Sequence, residues 1–352
     1  MIARLTLAIA ALVMPFAASA DAPVGLQHQV VFTAYTPLAG NAERMRRLLS
    51  PLTSARLRQQ LLQAHRPPGG QSVDLSRERF ALYVPATAPP QGYGLLVFVP
   101  SWEDARMPQP WLSALNRRGV IFVSAARAGK DADVFNRREP LALLAAYNVM
   151  QRYKVDPRRV YVGGFSGGSR VALRLALAYP DVFRGALLEA GSDPIGSDEI
   201  PLPPADLMQR FQDSRLVYLT GTEDTLHLAQ DARSRDSLQT WCVFDVDVET
   251  LRGAGHDVAD GAGFGRGLGA LEKHATPDPD RQSDCRQRTR QALDSQLRDA
   301  RMLLEQGRPA EARELLERID ARYGGLAAPA STELMRKMES SGEASPGTAH
   351  SN

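Results

Sequence analysis

The sequence predicts an α/β fold, a mostly parallel sheet with helices on both faces, followed by a short helical appendage. Three observations predict it. Short apolar runs rich in β-branched and aromatic residues recur from residue 21 to about residue 270. Helical patterns lie between several of them, and repeated strand–helix–strand units build parallel sheets covered on both faces. After Thr276-Pro277-Asp278-Pro279-Asp280 the pattern becomes purely helical. A chain of 352 residues accommodates one large domain with an appendage.

The first twenty residues precede the first strand. Arg4, an apolar stretch from Leu5 to Ala18 and the small residues Ala18-Ser19-Ala20 form a secretory signal peptide with its cleavage site. The stretch is shorter than the ~20 residues of a membrane span, and Pro15 interrupts it. No later run is long enough to span, so the mature chain is expected to start at Asp21, not membrane-spanning, in the periplasm or outside the cell. In that oxidising setting the two cysteines, Cys242 and Cys285, are candidates for a disulfide. Net charge is +2, from 42 basic and 40 acidic residues. That balance excludes a dedicated nucleic-acid binder, which needs a strong basic field.

Eight strands are expected: Gln29–Thr33, Arg79–Val84, Leu95–Pro100, Val120–Ser124, Val160–Phe165, Gly185–Ala190, Leu216–Gly221 and Val243–Leu251. Helices are expected at Pro110–Arg118, Pro140–Tyr153, Ser169–Tyr179 and Pro204–Gln212, with two short extra ones in Asn41–Gln63. The alternating glycines 261, 263, 265, 267 and 269 read as a mobile loop. This body spans residues 21–272. Residues 285–324 form a helical hairpin, with Leu293, Leu297, Ala300, Leu303 and Leu304 on one face of its first helix. Ala312, Leu315, Leu316, Ile319 and Tyr323 share a face of the second, and Pro309 suits its first turn. Residues 325–352 read as a disordered tail, apart from a short helix at Ser331–Met338.

The chemistry falls on three loops. Gly164-x-Ser166-x-Gly168 stands where a strand runs into a helix, the pattern of a nucleophile elbow. The glycines let strand and helix approach closely, and the turn lifts the hydroxyl to the positive end of the helix. A serine needs a base. Of the six histidines, His256 follows the last strand and reaches the sheet edge where Ser166 sits. His227, its nearest rival, reads as a substrate-side residue. The base needs an acid. Asp224 after the seventh strand is the first candidate and Glu223 the second, with Asp193 and Asp257 weaker. The order Ser166, Asp224, His256 is that of the α/β-hydrolases.

Residues 153–168, YKVDPRRVYVGGFSGG, and residues 176–183, ALAYPDVF, resemble the elbow of secreted α/β-hydrolases of the polyhydroxybutyrate depolymerase and feruloyl esterase group. The likeness runs from Arg79 to about Ala270 and implies an α/β-hydrolase fold. It further implies cleavage of a small-molecule or polymeric carboxylic ester through an acyl-enzyme. Such enzymes usually carry His-Gly after the third strand; this chain has Pro100-Ser101-Trp102-Glu103-Asp104. The oxyanion hole is therefore expected from the N–H of Gly167 and that of Trp102 or Ser101, since Pro100 has none. Glu103 and Asp104 would oppose it unless they face solvent. Trp102 and Trp111 are candidates to line an acyl pocket, or else pack. The hairpin resembles one tetratricopeptide unit at Ala300, Leu303, Gly307 and Ala312, and a lone unit needs a body, a protein partner or a dimer to cover it.

The sequence carries no Cys/His metal spacing and no phosphate loop, so no cofactor and no metal are implied. Asp245 and Asp247 read as a solvated strand face. Two other functions share parts of this pattern: a serine peptidase of the prolyl oligopeptidase type, and a non-catalytic binding protein on the same scaffold.

Overall fold

The computed structural model describes residues 22–65, 69–273 and 278–343. The leader Met1–Ala20 and the linker residues Thr276 and Pro277 lie outside them. The strands are β1 (Gly25–Val30), β2 (Phe80–Val84), β3 (Tyr93–Val99), β4 (Val120–Ala125), β5 (Val155–Phe165), β6 (Gly185–Glu189), β7 (Arg215–Gly221) and β8 (Val246–Leu251). The helices of the body are α1 (Asn41–Leu48), α2 (Pro51–Gln63), α3 (Leu112–Arg118), α4 (Glu139–Arg152), α5 (Gly167–Ala178), α6 (Ala205–Phe211), α7 (Thr225–Thr240) and α8 (Gly261–Leu271). The appendage holds α9 (Pro279–Glu305), α10 (Pro309–Tyr323) and α11 (Ala330–Glu343).

All eight strands join one sheet in the order β1-β2-β4-β3-β5-β6-β7-β8. The pairs β1–β2 and β2–β4 are antiparallel, and every pair from β4 onward is parallel. Successive side chains of a strand point to opposite faces, and the core divides accordingly. Leu95, Val97 and Val99 of β3 join the cluster built on α4 and α5. Leu96 and Phe98 join the opposite cluster, with Trp111, Phe264 and Leu268. Both faces being covered, β2, β3, β4, β6 and β7 are buried at every residue.

The glycine-rich segment expected to be mobile is the helix α8. Its Phe264, Leu268 and Leu271 are fully buried, and that packing overrides the poor helix propensity of glycine. Asp245 and Asp247 are not merely solvated: Arg215 reaches the first by a short ion pair and the second at 2.9 Å.

The appendage docks on the body. Ser50 and the Leu52 N–H at the start of α2 both donate to the Asp320 carboxylate of α10, the latter at 3.0 Å. The Tyr323 ring meets Trp241 edge-on at 5.7 Å. Cys242 and Cys285 form a disulfide, with Cα atoms 5.7 Å apart, which ties α9 to the end of α7. The disorder expected from residue 325 does not hold at its start, and the short helix expected at Ser331–Met338 lies within the longer α11. Gly324–Ala327 form a 3-10 turn, and Leu334, Met335 and Met338 of α11 are buried in the cluster that holds Leu297, Leu316 and Ile319. Leu334, Met335 and Met338 share one face of α11, which is why the segment packs. Of the three covers the sequence allowed for the hairpin, a body, a partner or a dimer, the structure shows the body, and a partner or dimer contact finds no support.

Candidate active site

Ser166 stands at the junction of β5 and α5 with φ +55°, a left-handed conformation that serine seldom adopts. Two hydrogen bonds hold it there. Its N–H donates to the Glu189 carbonyl at 2.8 Å, and its carbonyl accepts from the Ser169 N–H at 2.9 Å. The flanking glycines are there for space. A β-carbon on Gly164 would lie 2.2 Å from the Gly168 carbonyl oxygen, and one on Gly168 would lie 2.0 Å from that of Val99.

His256 lies on the irregular loop between β8 and α8. The β7 end receives this loop: Glu223 N–H donates to the Ala254 carbonyl at 3.0 Å, and Gly253 N–H donates to Thr222 Oγ1 at 2.9 Å. His256 Nε2 is 3.0 Å from Ser166 Oγ, and its Nδ1 is 2.7 Å from Asp224 Oδ2. Asp224 caps α7 and is 7% exposed, whereas the His256 side chain is 39% exposed. Burial pushes the Asp224 carboxyl up. Hydrogen bonds from His227 and His256 outweigh it and hold the group below its ordinary value.

The structure brings Ser166, His256 and Asp224 together and leaves their rivals aside. Glu223 and Asp257 are exposed. Asp193 lies 3.5 Å from Arg170. His227 is not simply substrate-side: its Nδ1 is 2.7 Å from Asp224 Oδ1, and its ring stacks on that of His256. One potential ligand atom from each of Asp224, His227 and His256 lies within 4.8 Å of the others, and the Nδ1 atom of each ring is already hydrogen-bonded to Asp224.

Trp111 does not line a pocket. It is fully buried, stacked on Phe264 at 4.0 Å, and its Nε1 donates to the Ala259 carbonyl at 2.7 Å. Trp102 is half-buried against Phe98, with the Arg106 guanidinium 4.9 Å from its ring. Ser101 Oγ donates to the Phe165 carbonyl, which ties the oxyanion-loop candidate to the elbow. Glu103 and Asp104 are exposed. A β-carbon on Gly129 would meet Glu103 Oε1, so that carboxylate lies against the 127–130 loop.

Two residues with no sequence signal support the site. Arg138, 2% exposed, donates to the carbonyls of Pro100 at 2.8 Å, Ala128 at 3.0 Å and Gly167 at 3.3 Å. It therefore joins the loop after β3 to the first turn of α5. Glu189 of β6 is fully buried, and its Oε2 accepts from the Ala259 N–H at 3.1 Å. Desolvation pushes its carboxyl up to about 8, against that one hydrogen bond.

The sheet order, with Ser166 in a tight turn after β5 and Asp224 and His256 on loops after β7 and β8, decides the fold. It is an α/β-hydrolase fold. No family model matches the chain. A short stretch of 54 residues is 44% identical to the putative esterase NocK of Nocardia uniformis subsp. tsuyamanensis. The match spans 15% of this chain and 14% of that protein. Among solved structures, S-formylglutathione hydrolase (FrmB) from Staphylococcus aureus is similar at 13% identity and TM-score 0.44, covering 55% of this chain and 92% of the other. An esterase from Pyrobaculum calidifontis is similar at 15% identity and TM-score 0.40, over 55% and 80%. Thermogutta terrifontis esterase 2, phosphonylated by sarin, is similar at 16% identity and TM-score 0.41, over 56% and 89%.

Proposed function

We propose that this chain is a secreted or periplasmic serine hydrolase that cleaves carboxylic esters through an acyl-enzyme. The observation that carries it is the unbroken chain from Ser166 Oγ through His256 to Asp224, at 3.0 and 2.7 Å, on a strained elbow. Ser166 attacks the ester carbonyl as His256 takes its proton, and Asp224 stabilises the imidazolium that forms. His256 then gives the proton to the leaving alcohol. Water repeats the cycle on the acyl-enzyme. The oxyanion is held by the N–H of Gly167 and one from Trp102 or Ser101. The exposed base and the resemblance around the elbow favour an open site for a small or polymeric ester. The disulfide fits an oxidising compartment. Among the described residues no helix is long and apolar enough to cross a membrane.

The test is a screen of the whole protein against short- and long-acyl esters, aryl esters and aminoacyl amides, beside Ser166→Ala. Ester turnover that vanishes in the variant is the expected result. Turnover of the amides alone would replace this function with a peptidase, and a folded protein that turns over none would be a binding protein.

A further inference from the structure

Asp224 presents a different imidazole to each of its oxygens. Oδ2 is 2.7 Å from His256 Nδ1, and Oδ1 is 2.7 Å from His227 Nδ1. The His227 backbone N–H also points at Oδ1, at 3.4 Å. The two rings stack with centroids 4.0 Å apart and planes 17° from parallel. His227 lies in the first turn of α7, three residues after the aspartate that caps it, so helix geometry sets this approach. Space for the ring is made on another element. Gly191, just after β6, has φ +106°, and a β-carbon there would lie 2.4 Å from His227 Cδ2.

We propose that His227 is a positioning residue for the Asp224–His256 pair, occupying Oδ1 and backing the His256 ring so that acid and base keep one relative orientation. The proposal rests on Ser166, His256 and Asp224 being the catalytic triad. A carboxylate turns about one soft torsion, and His256 sits exposed on an irregular loop, so both partners need a restraint. With Nδ1–H of each ring directed at Asp224, both tautomers are fixed. His256 Nε2 is then left to accept the Ser166 proton. His227 Nδ1 is spent on Asp224, so only Nε2 is left for any other partner.

Two variants separate the roles. His227→Phe keeps a planar ring and loses the donor, and His227→Asn keeps a donor near the Nδ1 position. Ester kinetics and the rate of fluorophosphonate labelling at Ser166 are compared with wild type, after circular dichroism and thermal unfolding establish that each is folded. If the Phe variant does not fold, His227→Ala takes its place. The expected result is that kcat and labelling rate fall about 10- to 100-fold in His227→Phe with KM little changed, and that His227→Asn recovers a large part of the loss. The proposal is overturned if His227→Phe keeps wild-type kcat and labelling rate, or if His227→Asn is as slow as His227→Phe. It is also overturned if the loss lies in KM alone and varies with the ester, the mark of a substrate contact. A wild type that neither hydrolyses esters nor takes the label overturns the triad itself, a separate outcome.

Discussion

Glu189 holds two parts of the site at once. Its carbonyl fixes the Ser166 N–H, and its carboxyl fixes Ala259 in the loop that carries His256. Among the described residues Oε1 has no hydrogen-bond partner, and no cation offsets the burial. Such a group is kept neutral. The folded-state pKa, about 8, lies above the ordinary 4.5, so the folded chain binds the proton more tightly than the unfolded one. The stabilising protonated form is complete below about pH 4.5 and is lost as pH rises through about 8. Glu189→Gln should flatten this loss. Its unfolding midpoint at pH 9, relative to pH 5, should exceed that of the wild type. Equal slopes with pH in the two proteins would show that Glu189 does not titrate in this window. No sequence pattern singled out Glu189 or Arg138. One is a charge at the end of an apolar strand, the other an arginine in a chain full of them, and only the packed fold shows what they bond.

At the scale of elements, the elbow depends on α5 lying directly against β3. Gly168→Ala would place a methyl group 2.0 Å from the Val99 carbonyl oxygen, a backbone atom that cannot move without the strand. The substitution should cost about 3 kcal/mol or more, beyond the usual penalty of overpacking because backbone is struck. Ser166 should lose its reactivity in whatever folded protein remains. A denaturant midpoint within error of wild type would mean that the helix can lift off the sheet freely. The elbow was legible because glycine spacing and an apolar strand meet there, and β2, β3, β4, β6 and β7 because doubly covered strands are unbroken apolar runs. The first strand, expected at Gln29–Thr33, lies instead at Gly25–Val30, a half-exposed edge whose residues carry no such run. α7 was not legible, because it buries polar groups: Asp231 accepts from Thr220 at 2.6 Å, and Ser234 bonds Tyr218 at 2.8 Å. Buried residues of that kind leave no apolar stripe to read. α8 was hidden by its glycines, which exist for close approach. A β-carbon on Gly263 would meet Leu251 Cδ2 at 2.2 Å, and one on Gly267 would meet Leu187 Cδ1 at 3.0 Å.

For the molecule as a whole, the body and its helical appendage share one core. Leu297, Leu316 and Met335 belong to the same cluster as the sheet residues Leu95 and Val162. The disulfide closes a loop between residues 43 apart, which by chain entropy stabilises the fold by about 4 kcal/mol. The hairpin was legible from its two apolar faces, but what covers them was not, since docking depends on residues such as Asp320 and Trp241 that carry no periodic signal. The proposed triad, Ser166, Asp224 and His256, comes from three loops at one edge of this sheet, none of them in the appendage. The measurement that tests it most directly is mass mapping of the whole protein after reaction with a fluorophosphonate. One adduct is expected on Ser166, absent in Ser166→Ala and nearly absent in His256→Ala, with turnover down by up to about 10⁴ in Asp224→Asn and mildly reduced in Glu223→Gln. A folded wild type that carries no adduct on Ser166 would contradict it.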